Sequence, residues 1–161
     1  MPLNERKKIY WDSANWLSYI NGVAERLPVL DALLAESASE KGTIIIYTSV
    51  ISEVEVAFGA AEQNRHVLDP SIESQIDALW ADREAIKLIE YHELIGLESR
   101  NIMRLSITQD WHLKPMDAIH LATAKGLNIA EFHTYDRALF KYSGYLGFVI
   151  CEPHTLNPKL L

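Results

Sequence analysis

The chain has 161 residues, 48% hydrophobic and 23% charged, the balance of a globular domain rather than of a disordered or fibrous chain. A net charge of -7 argues against a broad basic surface for nucleic acid, unless part of the negative charge is gathered in a metal site. Its apolar runs are too short to cross a bilayer, and its one cysteine, Cys151, can form no internal disulfide.

The opening residues "MPLNERKKIYW" lack the apolar stretch of a signal peptide, so a cytoplasmic protein without membrane contact is expected. "KKIYWD" is a short β-prone run ending in Asp12. The helical stretch "ANWLSYINGVAERL" follows, is broken by Pro28, and resumes as "VLDALLAESASEKG". There Leu30, Leu33 and Leu34 have helical spacing and Gly42 is the stop. "TIIIYTS" is apolar on both faces, as a strand covered on two sides should be. "SEVEVAFGAAEQNRH" returns to helix, and after Asp69-Pro70 "SIESQIDALWADRE" places Ile72, Ile76, Leu79 and Trp80 on one helical face. "AIKLIEY" is a third strand, "HELIGLESRNIMRLS" a helix, and "KPMDAIHLATAKG" another. "NIAEFHTYD" is a fourth strand ending in Asp136, "RALFKYSGY" a short helix, and "GFVICE" a fifth strand. Cys151 in that last strand reads as an ordinary small strand residue, since no thiol-activating motif surrounds it.

No repeat, low-complexity segment or linker interrupts the pattern, so residues 1–161 are expected to form a single domain. Alternating strands and helices predict an α/β fold, a three-layer α/β/α sandwich on a five-stranded parallel sheet. In such sheets the functional crevice lies at the carboxyl ends of the strands where the order reverses. With the order 3-2-1-4-5, Asp12 and Asp136 end neighbouring strands and stand side by side there.

Each acid has an ordinary explanation. Asp12 is a good N-cap, and Asp136 suits a turn. Asp117 favours the dipole in the first turn of its helix. Glu55 would complete a capping box if Ser52 caps. Glu53 and Glu55 point about 200° apart on a helix, so at most one faces a shared crevice. Together, however, these acids cluster at strand ends that carry no Gly-rich phosphate loop. Clustered carboxylates repel and need divalent cations to neutralise them. All-oxygen ligands favour magnesium or manganese, and the six histidines show no zinc-ligand spacing. His120, one turn from Asp117, is expected to pack or hydrogen-bond rather than ligate.

"IYWDS", "YTSVISEVEVAFGAA", "KPMDAIHLATAKG" and "FHTYDRALF" resemble, in order, the four signature blocks of PIN-domain nucleases, especially the VapC-like ribonuclease toxins. The resemblance covers nearly the whole chain. "DAIHLATA" followed by "TYDRAL" at a separation of 19 (136 minus 117) is its most specific part, and residues 63–84 fit only loosely. It implies a PIN-like sandwich and an endoribonuclease using one or two magnesium or manganese ions. Asp12, Glu55, Asp117 and Asp136 match the family's four acids. Glu55 is preferred to Glu53 because the family pattern places a glycine four residues later, here Gly59; Asp110 matches nothing. Ser13 and Ser49 match the hydroxyl residues that would orient the carboxylates or a bound water. Lys114, Arg137 and Lys141 are candidate phosphate contacts.

The expected role is the toxin of a type II toxin–antitoxin pair, with an RNA substrate and a protein antitoxin. The alternative is a non-catalytic PIN-like module that binds RNA or a protein. "SIESQIDALW" and "ANWLSYI" are candidates for an exposed apolar surface serving a homodimer or an antitoxin helix, unless Trp16, Leu79 and Trp80 pack into the core.

Overall fold

A five-stranded sheet forms the centre of the computed structural model, which describes residues 1–155. The strands are β1 (Lys7–Trp11), β2 (Ile44–Ser49), β3 (Ile86–Ile89), β4 (Glu131–His133) and β5 (Val149–Cys151). All neighbouring pairs are parallel and the order is β3-β2-β1-β4-β5, as the sequence predicts. Among the described residues, no helix is long and apolar enough to cross a membrane.

The connecting helices are α1 (Ser13–Ile20), α2 (Leu27–Ala38), α3 (Ile51–Glu55), α4 (Ala60–Arg65), α5 (Pro70–Ala81), α6 (Glu93–Thr108), α7 (Pro115–Gly126) and α8 (Ser143–Leu146). A 3-10 segment, Arg137–Tyr142, precedes the last. Strand periodicity sorts the core into two layers. Ile9 and Trp11 face α1, α2 and α5 with Trp16, Leu30, Leu33, Ile76 and Leu79. Tyr10, between them, faces α6 and α7 with Ile95, Ile102, Leu121 and Phe132.

Several local expectations are corrected. Pro28 does not break a helix: it occupies the first turn of α2, where a missing N–H costs nothing. The break lies at Asn21-Gly22, with Gly22 left-handed at φ +64°. The stretch from Ser52 to His66 is two helices, since Gly59 starts α4 and the Glu62 carboxylate accepts the Gly59 and Asp69 amides at 3.0 and 2.7 Å. Ser52 is no cap. It is buried inside α3, sharing a 2.8 Å hydrogen bond with the Thr48 hydroxyl, so no capping box holds Glu55. β4 is only three residues long, and Asp136 lies beyond its end. The aromatic residues of α1 and α5 are not a free surface. Trp16 and Leu79 are buried, and Trp80 packs edge-on against Trp16 at 5.5 Å.

Candidate active site

Four separate segments bring the predicted acids to the carboxyl ends of β1 and β4. Asp12 leaves β1 and caps α1, accepting the Ala14 amide at 3.1 Å. Asp136 leaves the turn after β4 and caps the 3-10 segment, accepting the Ala138 amide at 3.0 Å. Capping leaves each of them free for a further partner, because each carboxylate has four lone-pair directions and a cap uses one. Glu55 ends α3 and Asp117 lies in the first turn of α7.

The charges of these acids act on one another. Asp12 is buried, and its carboxyl is pushed up to about 7, chiefly by burial, with Asp117 adding repulsion and His120 and Thr134 opposing it. Asp117 is raised as well, first by burial and then by Asp136 and Glu55, against the pull of His120 and Lys114. Carboxylates so arranged resist full ionisation unless cations join them. A cation-free site therefore holds back protons that a divalent ion would displace. This oxygen-only, over-acidic donor set fits a hard ion such as magnesium or manganese.

His120 hydrogen-bonds, as expected, but its partners and several other supporting residues escaped the sequence reading. Ser49 N–H donates to the Tyr10 phenol oxygen at 3.0 Å, and that hydroxyl lies 2.8 Å from His120 Nδ1. His120 Nε2 in turn sits 2.5 Å from Glu55 Oε1. Burial holds the Tyr10 phenol above its usual range, so it stays protonated and its proton is available to His120 Nδ1. The other imidazole nitrogen then donates to Glu55. A buried chain thus fixes Glu55, although it ends a helix of only five residues. Thr134 is the second addition. Its hydroxyl accepts the Asp136 amide at 3.0 Å and favours the charged form of Asp12, coupling the two strand-end acids. Asn15 holds the end of β4 by donating to the His133 carbonyl at 2.6 Å. A polar residue beside a strand-end acid was the available signal for Thr134 and Asn15. The Tyr10–His120 bond joins positions 110 apart and left none.

The remaining candidates differ in placement. The Ser49 hydroxyl accepts the Ile51 amide at 3.3 Å, and Ser13 opens α1 beside Asp12. Lys114 acts directly on Asp117. Arg137 is paired with Glu152 at 3.0 Å, and Lys141 lies over the Trp111 ring at 5.2 Å. Glu53 is exposed, and Asp110 is an exposed turn residue at φ +55°.

Residues 9–145 match the PIN domain family. Solved structures show the same fold at low identity. VapBC2 from Rickettsia felis, bound to a DNA fragment from its promoter, gives a TM-score of 0.64 at 10% identity, covering 89% of this chain and 96% of that one. Mycobacterium tuberculosis VapC20, a sarcin-ricin loop cleaving toxin, gives 0.59 at 18% identity, covering 88% and 96%. FitAcB from Neisseria gonorrhoeae gives 0.60 at 14% identity, covering 90% and 97%. A sequence search of curated proteins found no match.

Proposed function

The chain belongs to the PIN domain family, and from that premise we propose that it is a metal-dependent endoribonuclease, the toxin of a type II toxin–antitoxin pair acting in the cytoplasm. The observation that carries this reading is the convergence of acids from four segments, Asp12 after β1, Asp136 after β4, Glu55 at the end of α3 and Asp117 in the first turn of α7. They are close enough that Asp136 and Glu55 act on Asp117, and Asp117 on Asp12. These four would hold one or two magnesium or manganese ions. Such an ion, when bound, lowers the pKa of water and stabilises charge on a phosphodiester.

The chain's own residues prepare the site. His120 and Tyr10 hold Glu55 in one orientation, so its carboxylate need not be ordered on binding. Thr134 keeps Asp12 and Asp136 in register. Asp12, on the buried side, gives up its proton when cation charge arrives. Lys114 offers a cation at the rim for an RNA phosphate, whereas Arg137 must leave Glu152 to do so.

A protein antitoxin has a surface available. Val54, Phe58, Val67 and Leu68 are exposed, and Phe58, Val67 and Leu68 line a groove of about 370 Å³ next to the helix that carries Glu55. VapBC complexes among the structural neighbours support a partner of that kind. A homodimer would need exposed residues such as Leu94 and Leu97 of α6, because Trp16 and Leu79 are buried.

Incubating structured RNA with the purified chain tests the reading. Cleavage should need magnesium or manganese and fall by orders of magnitude in Asp136→Asn. RNA that stays intact with either ion, but binds the chain, would replace the nuclease with a non-catalytic binding module.

A further inference from the structure

A second cluster of ligating side chains lies on the sheet face away from α7, and none of the four acids belongs to it. Residues two apart on a strand share a face, and His133 is directly opposite Cys151 in the β4–β5 ladder. Glu131, His133 and Cys151 therefore point the same way, while Phe132 and Ile150 pack into the opposite core. His154 folds back over them, its ring 5.3 Å from that of His133. One ligand atom from each of Glu131, His133, Cys151 and His154 lies within 4.8 Å of the other three.

The donors already converge. His133 Nε2 and His154 Nε2 approach the same oxygen, Glu131 Oε2, at 2.8 and 3.0 Å. Lys7 occupies the other oxygen, Oε1, and so orients the carboxylate without blocking Oε2. His133 is fully buried, and its Nδ1 has no hydrogen-bond partner among the described residues. Foremost among the neighbours acting on Glu131, His133 and Cys151 are one another, Lys7 and His154, not the crevice acids.

We propose that Glu131, His133, Cys151 and His154 form a structural zinc site. Two imidazoles, a thiol and a carboxylate are a borderline donor set that suits zinc and not magnesium. Tetrahedral zinc needs ligand atoms about 3.3–3.8 Å apart, so a contraction of about 1 Å closes the site. The Cys151 proton leaves to solvent, and the thiolate with the Glu131 carboxylate neutralises the ion. The ion staples residues 151–154 to β4, three residues before Asp136.

Cobalt is the probe that separates this site from the carboxylate crevice, because only a thiolate ligand gives a sulfur-to-cobalt charge-transfer band. The metal-free full chain should take up one equivalent of cobalt with that band, and zinc should displace it and raise the melting temperature. Cys151→Ser should abolish the band. His154→Ala, at a half-exposed position, should weaken zinc binding at least about tenfold. Cobalt uptake by the parent chain without the band, no uptake at all, or zinc binding as tight in His154→Ala as in the parent would overturn the site.

Discussion

Burial of Asp12 makes the stability of the fold depend on pH. An unfolded aspartate titrates near pH ~3.9, whereas burial holds Asp12 at about 7 in the folded chain. Between those values the unfolded state releases its proton and the folded state keeps it. The stabilisation is complete below about pH 4 and is lost as pH rises through 7. A tenfold difference in proton affinity between the two states is worth about 1.4 kcal/mol, so a fall of a few kcal/mol is expected for metal-free protein. Urea titrations from pH 4 to 8 check this. Asp12→Asn should flatten the profile, and magnesium should reverse the slope in the parent; a slope unchanged in Asp12→Asn would assign it elsewhere. Tyr10→Phe is a different kind of change. It keeps the ring but orphans the buried Ser49 amide and His120 Nδ1, so a loss of about 1–3 kcal/mol is expected by urea denaturation. Cleavage should fall less than in any carboxylate variant, because Glu55 itself remains.

The connections between elements show what local patterns do and do not encode. β2 was legible because "TIIIYTS" is apolar on both faces, and it is buried between two helix layers. The α1–α2 boundary was misplaced because Pro28 looks like a breaker, whereas proline is as compatible with a first turn as with a stop. Pro28→Ala should therefore change stability by less than about 0.5 kcal/mol. Gly22→Ala meets no atom within 4 Å, but its φ of +64° should cost about 1 kcal/mol from backbone conformation alone. Thermal melts of the two variants check both values; a large loss in Pro28→Ala with none in Gly22→Ala would restore the break to the proline. The end of α3 was not legible because the pattern of apolar positions continues smoothly through Gly59, whereas the start of α4 is set by the Glu62 carboxylate accepting the Gly59 amide.

At the scale of the whole molecule, strand order places Asp12 and Asp136 together, and that order follows from alternating elements and right-handed crossovers. All four acids were legible as motif positions. The chain that fixes Glu55 was not, because Tyr10 and His120 meet only once β1 and α7 pack. The Glu131–His133–Cys151–His154 cluster was hidden for a related reason. Its spacing matches no ligand motif, and only the β4–β5 ladder sets His133 opposite Cys151. The proposed assembly of the acids for a cation and a phosphodiester, rather than for helix capping, is decided by Asp117→Asn. Melting temperature with and without magnesium, and RNA cleavage, are measured on the same preparation. Removing a charge from a repelling cluster should leave the metal-free protein at least as stable, shrink the stabilisation by magnesium, and lower cleavage by orders of magnitude. A variant that is less stable by about 0.3–1 kcal/mol, keeps the magnesium response and cuts RNA at the parent rate would make Asp117 a helix-dipole residue and contradict the metal-site reading.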